Sequence, residues 1–213
     1  MPEIAHVSVI DRTRVPIKVG GQPVFAGLFQ AFGKFAPGLF KTRKIERFKM
    51  QEQCHSNWCW ATVASSVSLC YDAHSPHTQC AVANSVLDRP DCCTFKCHSP
   101  GTPGEVNKPN VLGSALNSAD HILRLFDPDV QAIPSQIQQE IEAERPVCAR
   151  IEWRVSGGAH FIVIVGYDPA TGKLDIADSL FGPQTIPFDE FKVVYQQEGK
   201  WNDTYYTKPP PPA

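Results

Sequence analysis

The chain has 213 residues, 42% of them hydrophobic, and 20 Lys and Arg against 22 Asp and Glu give a net charge of -2. That is enough chain for one domain with a substantial core. The basic residues are scattered, which gives no electrostatic footprint for nucleic acid, and no stretch reaches the roughly 18 consecutive apolar residues of a membrane span.

Residues 1–45 read as an N-terminal arm, with short extended segments at Val7-Ser8-Val9-Ile10 and Val15-Pro16-Ile17-Lys18-Val19. Residues 24–40 hold five Phe but are broken by Gly27, Gly33 and Pro37, so they do not make the h-region of a secretory signal. The arm reads as an amphipathic segment packed on the domain, with a partner or membrane-surface contact as the alternative. Lys41-Thr42-Arg43-Lys44 reads as a solvated turn.

The stretch that carries chemistry begins at Gln53-Cys54-His55-Ser56-Asn57-Trp58-Cys59-Trp60. From Trp58 onward Trp60, Val63, Ala64, Val67 and Leu69 recur at helical spacing, which puts Cys59 in the first turn of a helix. There the unpaired backbone N–H groups and the positive end of the helix dipole favour thiolate over thiol, so Cys59 is read as a nucleophile. The NH2 group of Gln53 is suited to join the Cys59 backbone N–H in an oxyanion hole. His55 sits in the same loop, as part of the wall of that hole.

Thr78 is placed to cap a second helix from Gln79 to about Leu87. Cys80, Cys92, Cys93, Cys97 and His98 follow closely, but without paired Cys-x2-Cys knuckles they make a poor zinc site, and no metal or organic cofactor is expected. Cys70 and Cys148 lie in apolar runs and read as small buried hydrophobes. Residues 99–110 form a Pro- and Gly-rich surface loop between two lobes, and residues 110–117 a short helix. Ser135-Gln136-Ile137-Gln138 has the form of a capping box for a helix that Arg145-Pro146 ends, and residues 147–153 make a strand.

Gly157-Gly158-Ala159-His160 then opens a β-branched apolar strand over residues 161–165, closed by Gly166-Tyr167-Asp168-Pro169. Leu174-Asp175-Ile176-Ala177-Asp178 reads as the returning strand of a hairpin, bringing Asp178 beside His160. His160 is thereby the base for Cys59, and Asp178 the group that holds its tautomer. A short helix near Phe188 and an edge strand over residues 200–207 complete the domain, taken as residues 46–207, and Pro209 to Pro212 belong to an extended tail over residues 208–213. His74, His77, His98 and His121 read as loop or surface histidines.

These residues resemble the papain-like cysteine peptidases: Gln-x5-Cys-Trp at 53–60, and His160 to Tyr167 against His-x-Val-x-x-Val-Gly-Tyr, with Ile162 in place of the first Val. Papain has Asn-Ser-Trp as its third motif, whereas this chain has Asp178-Ser179-Leu180, which is closer to bacterial Cys-His-Asp forms such as the AvrRpt2-type effector group. The resemblance implies an α+β, two-lobe fold in which a helical lobe brings Cys59 and an antiparallel sheet brings His160 and Asp178. It implies substrate between the lobes, with Gly157 and Gly158 as candidate contacts, and a disulfide from Cys54 to Cys92 or Cys93. It also makes residues 1–45 a candidate inhibitory pro-segment. The implied activity is peptide-bond hydrolysis by a monomer acting on protein or peptide substrates. An acyltransferase or amidase on the same groups, or a binding module that has kept the fold, are the alternatives. Eight cysteines without a recognisable signal favour export by another route or delivery into a host, with a cytoplasmic location as the alternative.

Overall fold

The helix that carries Cys59 is α1, Cys59–Tyr71, and its burial explains the rest of the architecture. Eleven of its residues are buried, including Ser65, Ser66 and Ser68, while Leu69 is exposed. The helix is thus wrapped by protein on nearly every side, so the apolar stripe read from the sequence understates its burial. Two of its buried hydroxyls are used locally: Ser66 Oγ donates to the Thr62 carbonyl at 2.7 Å, and Thr62 Oγ1 to Gln79 at 2.9 Å.

The structure is a computed structural model that describes residues 42–125 and 130–211, within the compact unit Phe40–Ala213. The extended segments and the arm read at residues 1–41 lie outside the described residues. Helix α1 packs on α2, Gln79–Leu87, and on α3, Leu112–Ser118, to form the helical layer. Thr78 caps α2 as expected, its side chain accepting from Ala81 N. Two further helices are α4, Pro134–Glu142, and α5, Phe188–Val193. Helix α4 starts two residues before the expected box: Pro134 occupies the first turn, and Gln136 Oε1 accepts from Ile133 N at 3.0 Å.

The strands are β1 (Arg43–Lys44), β2 (Ile122–Leu125), β3 (Val147–Trp153), β4 (Ala159–Asp168), β5 (Lys173–Ala177), β6 (Gln184–Pro187) and β7 (Gly199–Thr207). All pair antiparallel in one sheet of order β2-β7-β3-β4-β5-β6, with β1 against β4. This is the expected α+β arrangement, with two differences. Strand β7 is an interior strand with β2 and β3 on its two sides, where the sequence had suggested an edge. Arg43 and Lys44 form an exposed strand on β4 instead of a turn. Strand β4 is buried from His160 to Tyr167, as its β-branched run predicts. Gly166 lets both neighbours approach, since a Cβ there would lie 2.6 Å from Asp175 Oδ2 and 3.1 Å from the Arg43 carbonyl.

Two disulfides brace the helical layer: Cys54–Cys97 and Cys80–Cys93. The expected pairing of Cys54 with Cys92 or Cys93 is therefore corrected. His98 N donates to the Cys54 carbonyl at 2.8 Å, which brings Cys97 to Cys54. Cys92 opens a 3-10 turn, Cys92–Thr94, with its N–H held by Asn84 Oδ1 at 2.8 Å, so that its thiol is fully buried and Cys93 faces α2. Three of the four cysteines weighed for zinc are spent in these bridges. Cys70 and Cys148 are free and buried, and burial pushes both thiols up.

Candidate active site

Trp58 is the N-cap of α1 and offers no side-chain acceptor, so Cys59 enters the first turn with free backbone N–H groups around it. The loop before it is fixed from two directions. From α2, Gln79 spends its whole amide on it: Oε1 accepts from Cys54 N at 2.9 Å as well as from Thr62, and Nε2 donates to Gln51 Oε1 and the Glu52 carbonyl. From the loop ahead of α3, Asn107 pairs with Asn57 and Ser56, while the indoles of the fully buried Trp58 and Trp60 donate to the carbonyls of Val106 and Lys108. Tryptophan is useful here because it fills the core and still binds a loop carbonyl.

The sheet supplies the second half. Val163 pairs with Ala177, so one further step of the register sets Asp178 opposite Ile162, on the face that His160 shares. Nε2 of His160 lies 2.8 Å from Asp178 Oδ1, and the two residues are 2% and 4% exposed. The other ring nitrogen is not used by Asp178, and the neighbouring Cys59 acts on the imidazole to raise its pKa. Burial alone would lower that pKa, but the hydrogen bonds and charges of Asp178 and Cys59 overturn it and hold it up to about 9. For Asp178 burial acts upward, yet the bond and charge of His160, then Tyr195 and the Leu180 N–H, hold the carboxyl below its ordinary value. A protonated His160 and an ionised Asp178 are therefore the stable pair at neutral pH.

Asp178 collects more than the histidine. Its Oδ1 also accepts from Leu180 N at 2.6 Å and Phe181 N at 3.2 Å, and its Oδ2 accepts from Tyr195 Oη at 2.7 Å. Trp153, at the end of β3, stacks on the His160 ring at 6.1 Å and 11° and on Tyr195 at 6.5 Å and 20°. Sequence reasoning missed both residues and Gln79. Phe181 lies edge-on to His160, with Leu180 and Phe181 each about half exposed, so the shielding ring comes chiefly from Trp153 in the neighbouring hairpin arm. The register predicts this: Ile151 pairs with His160, which puts Trp153 two residues along on the same face.

Gln53 is 6% exposed, and its Nε2 donates to the carbonyls of His55 and Ser56, both at 2.8 Å, while Oε1 accepts from Ser179 Oγ at 3.1 Å. That last bond ties the nucleophile loop to the residue after Asp178. Gly157 and Gly158 take φ of +76 and +79 in the β3–β4 turn, where side chains are strained. Gly158 lines a cleft of about 420 Å³ together with Cys59, Trp60, Val111, Phe161 and Tyr205, and Gly157 does not. Burial, then His98, pushes the His55 imidazole pKa down, and its ring packs edge-on against Trp58 at 4.4 Å. His121 is 2% exposed, not a surface residue: its Nδ1 is 3.0 Å from the Lys208 carbonyl and its ring stacks on Tyr71. Among the described residues no group of three or more His, Cys, Asp and Glu is placed to hold a metal ion, and no helix is long and apolar enough to cross a membrane.

Residues 45–203 match the model of the Peptidase_C39 like family. A solved structure of xylellain, a cysteine protease from Xylella fastidiosa, is similar at a TM-score of 0.44 and 11% identity, over 79% of this chain and 86% of that one. No curated protein matches this chain.

Proposed function

Because this chain belongs to the Peptidase_C39 like family and is a cysteine peptidase of α+β fold, we propose that Cys59, His160 and Asp178 cut peptide bonds through an acyl-enzyme, as in the papain-like enzymes that the sequence resembles. The observation that carries this reading is the buried 2.8 Å bond from His160 to Asp178, together with a Cys59 that acts on the same imidazole and lines a cleft.

Cys59 Sγ, as thiolate, attacks the carbonyl carbon of the substrate, and the carbonyl electron pair moves to oxygen. The Cys59 backbone N–H stabilises that oxygen, joined by Gln53. In the free protein both Gln53 Nε2 hydrogens are engaged by the His55 and Ser56 carbonyls. A developing oxyanion is a stronger acceptor than a neutral carbonyl, so one of these bonds is exchanged as charge builds. When the C–N bond breaks, imidazolium gives its proton to the leaving amine. Water then gives a proton back to His160 and attacks the thioester, releasing the carboxylic acid and restoring the thiolate-imidazolium pair. The substrates are proteins or peptides lying in the cleft that Cys59 and Gly158 line.

Cys59→Ala is expected to abolish both cleavage of a peptide library and covalent labelling by an epoxide or chloromethyl ketone. A burst of one product per active site shows the acyl-enzyme, and a following steady state in which added amines do not compete with water as acceptor separates hydrolysis from acyl transfer. Equal labelling of Cys59→Ala and the unchanged protein refutes the assignment.

A further inference from the structure

We propose that Tyr195 is a positioning residue of this site, whose hydroxyl fixes the outer carboxylate oxygen of Asp178 and thereby the line along which Asp178 meets His160. The inference rests on the peptidase reading above and adds a residue to it.

The two carboxylate oxygens of Asp178 are served unequally. Oδ1 receives His160 Nε2, Leu180 N and Phe181 N, whereas Oδ2 receives the Tyr195 hydroxyl. Three donors on Oδ1 limit rotation about the Cβ–Cγ bond but leave Oδ2 without a partner of its own, and the phenol at the second oxygen narrows the remaining arc. Tyr195 is itself fixed to an unusual degree for a residue between elements. It is 1% exposed, its backbone exchanges two 2.7 Å hydrogen bonds with Gly199, and its ring packs on Trp153, Phe181 and Phe191. Its oxygen accepts from Gln184 Nε2 at 2.9 Å, and Gln184 Oε1 in turn accepts from Gln196 Nε2 at 2.7 Å. With the acceptor side of the phenol occupied by Gln184, its single proton is directed to Asp178. Burial, then the Asp178 charge, pushes the phenol pKa up, so it stays a donor throughout the working range.

The surrounding charges do not duplicate this role. Asp178 faces His160 from β4, with Cys59 of α1 beyond it. Across a cavity of about 590 Å³ that Asp178 also lines stand Lys44, Glu46, Lys49, Glu52 and Asp175. Asp175 is engaged by Thr185 at 2.7 Å, and Glu198, three residues beyond Tyr195, binds Val155 N, Ser156 N and Ser156 Oγ in the β3–β4 turn. Without the phenol, Oδ2 is a buried charged oxygen short of a donor. The carboxyl then takes up a proton at higher pH, and the His160 imidazolium loses its counter-charge from the acid side.

The test is the pH dependence of Cys59 alkylation by iodoacetamide, followed on the Cys59 peptide by mass spectrometry, which needs no knowledge of the substrate. Tyr195→Phe is expected to move the acid limb of that profile up by about one pH unit, a roughly tenfold change in the carboxyl equilibrium. In an Asp178→Ala background the same substitution is expected to change nothing further, because a positioning residue has nothing left to position. Gln184→Met keeps the phenol but removes its orienting hydrogen bond, and is expected to act in the same direction more weakly; it stands in if Tyr195→Phe does not fold. Profiles of Tyr195→Phe, or in its place Gln184→Met, that superimpose on the unchanged protein overturn the proposal, as does a full additional loss in the Asp178→Ala background. If Cys59 of the unchanged protein alkylates like an ordinary thiol near pH 8.5, the peptidase reading falls first and this inference with it.

Discussion

Replacing Asp178 by Asn tests how much of the site depends on charge and how much on shape. Three donors converge on Oδ1, so the carboxamide oxygen takes that place and its NH2 faces Tyr195. The phenol oxygen has a second lone pair beside the one used by Gln184, and it turns to accept from the new NH2. The hydrogen bond to His160 therefore survives while the charge is lost. In the unchanged protein His160 is raised from 6.5 to about 9, so imidazolium is fully held below about 6.5 and is given up as pH rises through about 9. Asp178 is lowered, so its contribution is present above 3.8 and is lost only as pH falls through its lower folded value. The pair is thus stable between those limits. A neighbouring opposite charge is worth about 1–3 pK units, so Asp178→Asn is expected to bring the alkaline limb down by about 1–2 units, roughly 1.4–2.7 kcal/mol, while retaining measurable turnover. Asp178→Ala leaves His160, two backbone N–H groups and the phenol without their acceptor, and is expected to lose most of the turnover. The assay is kcat/KM against pH for all three proteins. An alkaline limb that stays in place in Asp178→Asn, or an Asp178→Ala enzyme equal to the unchanged one, would refute the role given to this carboxylate.

Cys97→Ser opens a loop of sequence separation 43, worth about 4 kcal/mol on chain-entropy grounds, so its Tm is expected to fall by about 8–16 °C. A fall under about 2 °C by calorimetry would show that the bridge does not constrain the chain. Gln53→Ala is expected to lose roughly a hundredfold in kcat with little change in KM, as for a donor used in the transition state. A change confined to KM would instead make Gln53 a binding residue.

The meeting of His160 and Asp178 was legible in local sequence, from the β-branched strand after His160 and the eighteen-residue step to Asp178 across a Pro- and Gly-containing turn that closes a hairpin. What escaped were features set by register between distant strands. Trp153 meets His160 because Ile151 pairs with it, a fact of β3–β4 alignment that no local pattern carries. Tyr195 follows a short helix in an isolated bridge to Gly199, without periodicity of its own. Gln79 shows in the sequence only as the residue after a helix cap, yet it uses all of its amide on the nucleophile loop. The disulfide partner of Cys54 escaped because it is set by a distant loop: His98 N donates to the Cys54 carbonyl and so brings Cys97 to it, while Cys93 is taken by Cys80 on α2.

The interior position of β7 sets the order in which the molecule can be completed. Among the described residues strand β2 pairs with β7 alone, and β3 has β7 on one side, so neither has its β7 pairing until Thr207 exists. The chain from Cys59 to Thr207 is 148 residues long, and at about 5–20 residues per second a ribosome takes on the order of 7–30 s to make it. For most of that interval, once Cys59 has left the exit tunnel, Asp178 still waits on Tyr195 and β3 on β7. A growing chain therefore carries the Cys59 thiol well before the strands that position His160 and Asp178 are all paired.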